Sequence, residues 1–184
     1  MSEHPDFQPD HQEEVESTLP TEPEDPHLEA FWDRARTVAG FNRTEVLTGL
    51  DDTASLRPSA FSLGATKEVA DELARLVVSG EKTATSSRVA AYEREGADLP
   101  RVGELSIVCD GAGHPRALIR DTEIRILGFQ EADHEIAAAE GEGPFEHWKT
   151  AHEAFFRQEC EALGIEYDPA GKIVVEFFEV LYKH

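Results

Sequence analysis

The sequence predicts an α+β domain built around a small, mostly antiparallel barrel or curled sheet. Three observations carry that expectation. Runs at residues 104–110, 117–129 and 172–182 are rich in β-branched residues and alternate as strands do. Residues 66–80 and 144–164 hold apolar side chains at helical spacing between a start signal and a glycine stop. The order of these segments is irregular, with a hairpin-length turn at Gly111-Ala112-Gly113-His114 and no regular strand–helix–strand alternation. The chain contains neither an internal repeat nor a P-loop.

In chain order, residues 28–39 form the first expected helix, with Leu28, Phe31, Trp32, Ala35 and Val38 on one face. Residues 40–65 read as a long, partly ordered connection, broken by Gly49, Asp51, Asp52, Pro58 and Gly64, in which Phe61 and Leu63 alternate as a short strand would. Thr66 is a natural N-cap, Glu68 and Asp71 suit the electropositive first turn, and Val69, Leu73, Leu76 and Val77 mark one buried face. Gly80 stops that helix. A short helix near residues 89–94 ends at Gly96, and residues 133–140 form another. Pro144 suits the first helical position of the long helix that Gly164 closes, with Phe145, Trp148, His152, Phe155, Phe156 and Leu163 roughly along one face.

Composition narrows the class. A chain of 184 residues is long enough for one domain with a real core, and its formal net charge is −21. Residues 1–27 carry many carboxylates and prolines and no lysine or arginine, so they read as a disordered acidic tail ahead of a folded domain at residues 28–184. The tail lacks the basic and apolar regions of a signal peptide. The remainder is still acidic. This argues against long duplex DNA, whose binding grows with the cations presented, and leaves room for a single nucleoside or short RNA. Cys109 and Cys160 stand apart, without the spacing of zinc or redox motifs, and no apolar run approaches the ~20 residues of a membrane span. A cytoplasmic protein without a membrane association is the expectation.

The stretch that promises chemistry is Ser79-Gly80-Glu81-Lys82-Thr83-Ala84-Thr85-Ser86-Ser87, where a lysine and hydroxyls leave a rigid helix end. Two readings stand side by side. Lys82 is a solvated loop cation beside ordinary turn residues, or it is desolvated enough to activate Thr85 or polarise a carbonyl. The joint Glu140-Gly141-Glu142-Gly143 likewise serves as a flexible turn with Glu142 against a helix dipole, or offers a glutamate as general acid or base. His147 and His152 are five apart, off the i, i+4 register of paired helical zinc ligands. Both are read as packing or hydrogen-bonding residues, and neither a metal nor a cofactor is expected.

The run Gly80-Glu81-Lys82-Thr83-Ala84-Thr85-Ser86, followed by Tyr92, Leu99-Pro100, Val102-Gly103, Gly113, Pro115, Phe129, the Glu140-to-Gly143 joint, Trp148, His152 and Phe155-Phe156, resembles an ASCH domain in its longer bacterial form. The resemblance covers roughly residues 28–184 and implies a PUA-like mixed or antiparallel β-barrel with flanking helices. It also implies a cleft for RNA or modified-nucleoside chemistry. Some small members are amidohydrolases that deacetylate N4-acetylcytidine with a lysine, a threonine and a glutamate, and one longer member is described as a ribonuclease. By position the lysine is Lys82, the threonine Thr85 and the glutamate Glu142, with Glu140 second.

The chain departs from the small members' pattern where Ser87, then Arg88, follow the threonine, and from longer members where Pro144 follows Gly143. Ser86, Ser87, Arg88, Tyr92 and Trp148 are the expected substrate contacts, the two aromatics as stacking surfaces. The implied reaction has Thr85 attack an amide carbonyl, Lys82 take its proton if burial lowers the lysine pKa, and a glutamate protonate the departing cytosine nitrogen. The alternatives are an RNA- or nucleotide-binding module without turnover, or a metal-independent ribonuclease.

Overall fold

The computed structural model describes residues 17–41 and 57–184. Helix α1 (Asp25–Val38) starts the folded part, three residues before the boundary expected at Leu28, because Pro26 fits its first turn. Strand β1 (Ser59–Ser62), helix α2 (Lys67–Ser79), strand β2 (Ala84–Arg88) and helix α3 (Val89–Glu95) follow. Strands β3 (Leu105–Cys109) and β4 (Pro115–Gly128) form the expected hairpin. A 3-10 turn (Phe129–Glu131) then leads to helices α4 (His134–Glu140) and α5 (Phe145–Leu163), and strand β5 (Lys172–Lys183) closes the chain. Most of the expected connection over residues 40–65 lies outside the described residues, at 42–56, and its end supplies β1.

The tail expectation divides the same way. Residues 1–16 lie outside the described residues, whereas the segment just before α1 is held in place. Lys67 N–H donates to the Thr18 carbonyl and Thr21 N–H to the Gly111 carbonyl, each at 2.9 Å. Gly113, with φ +79°, lets this segment pass so close that a Cβ there would lie 2.8 Å from the Thr21 carbonyl oxygen.

The sheet order is β1-β3-β4-β5-β2, with β1 parallel to β3 and every other pair antiparallel. Register shifts at Val108/Cys109, Leu118/Ile119 and Asp121/Glu123 sharpen its bend, as inserted residues in a ladder do. The result is a curled half-barrel with helices packed on both of its faces, the α+β architecture expected. One core packs Phe129, Ile136, Trp148, Phe156, Ile173 and Val175 between the sheet and α4/α5. A second sets Phe31 and Trp32 of α1 against Ile107 and Leu118.

Local chemistry explains the helix ends. The Thr66 side chain accepts from Val69 N–H at 3.3 Å, and Gly80 closes α2 at φ +83°. Pro144 is the N-cap of α5 rather than its first helical residue. Along α2 the buried face is Ala70, Leu73, Ala74, Leu76 and Val77; Val69, expected among them, is 44% exposed and faces a cavity instead.

Candidate functional site

The α2 stop aims the chain back at the sheet. After Gly80, the N–H groups of Glu81 and Lys82 both bond the Leu76 carbonyl at 3.0 Å, which fixes the turn. Thr83 then ties the turn to the last residues of α4. Its N–H reaches the Ala139 carbonyl at 2.6 Å and its hydroxyl the same oxygen at 3.2 Å, while its own carbonyl accepts from Phe178 N–H of β5 at 2.9 Å. This clamp sets Lys82 beside the α4–α5 joint, 58 residues further along the chain.

Both glutamates of that joint meet the lysine. Lys82 Nζ donates to Glu140 Oε2 at 3.0 Å and to Glu142 Oε1 at 2.5 Å. The Lys82 and Glu140 side chains are each 1% exposed, and Glu142 is 21% exposed. Glu140 is satisfied on every side: Ser86 Oγ donates to its Oε1 at 2.5 Å, and His152 Nε2 lies 3.2 Å from its Oε2. The other ring nitrogen of His152 is 3.0 Å from the Trp148 carbonyl, which orients the ring.

Burial opposes charge on Glu140, yet Lys82, the His152 hydrogen bond and the Ser86 hydroxyl together outweigh it and hold the carboxyl well below the usual range. Burial also works against charge on His152, but the Glu140 partner prevails and raises its pKa. Oxygens of Glu140 and Glu142 and a nitrogen of His152 lie within 4.8 Å of one another, a spacing that suits a divalent cation. Here the Lys82 ammonium is bonded to both carboxylates, so the cluster supplies its own cation.

This network forms one wall of a cavity of about 580 Å³. The cavity lies where the half-barrel stays open, since Phe61 and Ser62 of β1 and Thr85, Ser86 and Ser87 of β2, the two edge strands, all line it. Helix α2 contributes Val69 and Leu73, α3 contributes Tyr92, and α5 contributes His152 and Phe155.

Of the residues singled out in the sequence, Lys82, Thr85, Ser86, Ser87, Tyr92, Glu140 and Glu142 converge on this cavity. The hydrogen bonds of Lys82 go to the glutamates, and the Thr85 hydroxyl has no hydrogen-bond partner among the described residues. Ser86 is committed to Glu140.

Arg88 and Trp148, expected as substrate contacts, line no part of the cavity. Arg88 is 2% exposed, its Nη2 donates to the Asp168 carbonyl at 2.7 Å, and its guanidinium lies against Phe156 and Tyr167. Trp148 is fully buried, stacked on His152 at 4.5 Å and on Phe145 at 6.0 Å. Both pack the interior because β2 alternates, sending Arg88 to the helix side, and α5 turns Trp148 toward the sheet.

Two residues belong to the site beyond those that sequence reasoning placed there. His152 reads along the chain as a packing residue of α5, and only the fold brings Glu140 to it. Glu176 of β5 also lines the cavity, half-buried. Burial, then the charges of Asp121 and Glu104, push its carboxyl up to about 8. A lone carboxylate inside the apolar run Ile173-Val174-Val175-Glu176-Phe177-Phe178 is the one signal for it.

These shifts set how stability follows pH. A carboxyl raised in the fold, like Glu176, loses stability as pH climbs from its ordinary 4.5 towards about 8, and a raised histidine loses it above about 6.5. Glu140, held low, loses stability only as pH falls below its ordinary 4.5. Urea unfolding at pH 5, 7 and 9 is therefore expected to show a steady decline, of which Glu176→Gln removes about 1–3 kcal/mol. Parallel profiles for the two proteins would contradict the assignment of Glu176.

A curled α+β half-barrel with a buried lysine–glutamate network at its open seam defines the class of protein. Residues 59–182 match the ASCH domain family model, and the chain belongs to the ASCH domain family, with its PUA-like fold. The crystal structure of an ASCH domain from Lactobacillus crispatus JV V101 is 30% identical, covering 86% of this chain and 96% of that one, with a TM-score of 0.74. A protein from Enterococcus faecalis V583 is 31% identical, with coverage of 84% and 88% and a TM-score of 0.70. No curated protein matches the chain. Among the described residues, no helix is long and apolar enough to cross a membrane.

Proposed function

We propose that the chain hydrolyses the amide of an N4-acylated cytidine, N4-acetylcytidine being the type substrate. The observation that carries this reading is the convergence of the Lys82–Glu140–Glu142 network and the Thr85 hydroxyl, unpartnered among the described residues, on one cavity of nucleoside size, about 580 Å³. Thr85 Oγ1 attacks the acyl carbon as its proton passes to Glu142, the more exposed carboxylate. Lys82, held between two carboxylates, faces the negative charge that develops on the carbonyl oxygen. The C–N4 bond then breaks, Glu142 returns the proton to N4, and cytidine leaves. Water hydrolyses the resulting threonine ester and releases the carboxylic acid. Glu140 remains ionised throughout and fixes Lys82, with Ser86 and His152 fixing Glu140.

The lining favours a nucleoside over a long RNA. Glu140, Glu142, Glu159 and Glu176 line the cavity along with Lys82, and such a lining offers few cations to a chain of phosphates. Incubation with N4-acetylcytidine, other N4-acylated cytidines and short RNAs, followed by mass analysis, is expected to yield cytidine and the free acid in the presence of chelator. Intact acylated nucleosides after prolonged incubation would refute the reading.

A further inference from the structure

The proposed hydrolysis leaves one cavity-lining carboxyl without a task. Glu176 sits directly opposite Thr85 in the β2/β5 ladder. Its carboxyl has no hydrogen-bond or ion-pair partner among the described residues, although it is half-buried and faces the cavity. The charges acting on it are those of Asp121 on β4 and Glu104 before β3, both negative. From α3, the Tyr92 hydroxyl is engaged with Ser87, and burial leads the effects that push it up to about 12. From α5, Glu159 is also raised, chiefly by burial, and its Oε2 is buried without a partner among the described residues. A carboxyl in these surroundings keeps its proton at neutral pH. It then offers one O–H donor and one carbonyl acceptor side by side, whereas a carboxylate offers acceptors only.

We propose that Glu176 is a specificity-determining residue, reading the edge of a cytosine-type base where the ring N3 acceptor adjoins the N4–H donor. The inference rests on the amide-hydrolase reading and names the part of the substrate that this side chain recognises. Geometry supports it. Residues opposite each other on neighbouring antiparallel strands hold their Cβ atoms roughly 4.5–5.5 Å apart on one face. In an N4-acylated cytosine the acyl carbon is bonded to the same nitrogen that carries the N4–H. A side chain on that edge therefore leaves Thr85, its cross-strand neighbour, beside the carbonyl. The Glu176 O–H donates to N3 and its carbonyl oxygen accepts from N4–H. Once Glu176 ionises, an oxygen lone pair faces the N3 lone pair and the edge is rejected.

The test compares wild type, Glu176→Gln and Glu176→Ala, measuring kcat/KM and KM for N4-acetylcytidine from pH 6 to 9.5. Glutamine keeps one donor and one acceptor but cannot titrate. Glu176→Ala is expected to lose about 10- to 100-fold in kcat/KM, mainly through KM, by leaving a polar edge unpaired. Wild-type kcat/KM is expected to fall above pH 8, tenfold per further pH unit, while Glu176→Gln holds level there. Every other side chain of the cavity is the same in both proteins, so the difference isolates Glu176. An alanine variant with unchanged KM, or a glutamine variant that declines with wild type, overturns the assignment and leaves the hydrolase reading standing. Wild type that neither binds nor cleaves N4-acetylcytidine overturns both.

Discussion

Lys82→Met is expected to abolish turnover of N4-acetylcytidine and to lower the unfolding free energy by about 3–5 kcal/mol, because it strands a buried carboxylate. Glu140 is 1% exposed, and without the ammonium only Ser86 and His152 would face its charge. Equilibrium unfolding in urea measures the loss. The double variant Lys82→Met/Glu140→Gln separates the two roles of the lysine. Removing both charges should recover much of the stability, since a buried pair contributes little net energy once both partners are gone, yet it should recover no activity. A single variant as stable as wild type would mean that Glu140 is neutral in the fold. A single variant that still turned over substrate would remove Lys82 from the chemistry.

The second large effect is expected at Gly141, where the joint passes against the loop that carries Lys82. Its φ is +69°, and a Cβ there would lie 2.4 Å from the Glu81 carbonyl oxygen and 2.8 Å from its carbon. Both are backbone atoms that cannot swing away. Gly141→Ala should cost more than about 2 kcal/mol and move Glu140 and Glu142 off Lys82, lowering kcat as well. Gly164 is the control. It closes α5 at φ +66° with nothing within 4 Å of where an alanine methyl would sit, so Gly164→Ala should cost only about 1–2 kcal/mol of backbone strain and leave kcat unchanged. Equal losses at the two positions would show that the close approach at Gly141 is not structurally decisive.

Much of this arrangement is legible along the chain because it depends on local rules. Thr66 and Gly80 mark the ends of α2 by capping chemistry, and Gly80 in turn positions Lys82. The glycines flanking Glu140 and Glu142 mark a joint, and family resemblance joins that joint to Lys82. What depends on packing is harder to see. Nothing in the spacing of His152 distinguishes a ring that touches Glu140 from one that only fills the core. Trp148 and Arg88 are residue types that often bind bases, yet here one fills the interior and the other holds the loop before β5 through the carbonyls of Asp168 and Gly171. Glu176 reads as an ordinary strand residue until register sets it across from Thr85.

The margins of the sheet, β1 and β2, border the cavity without forming a ladder with each other. Its breadth is therefore governed by how far the curl stops short of closure. Room for a bulkier ligand is thus set at the seam, apart from the wall that Lys82 and the two glutamates form.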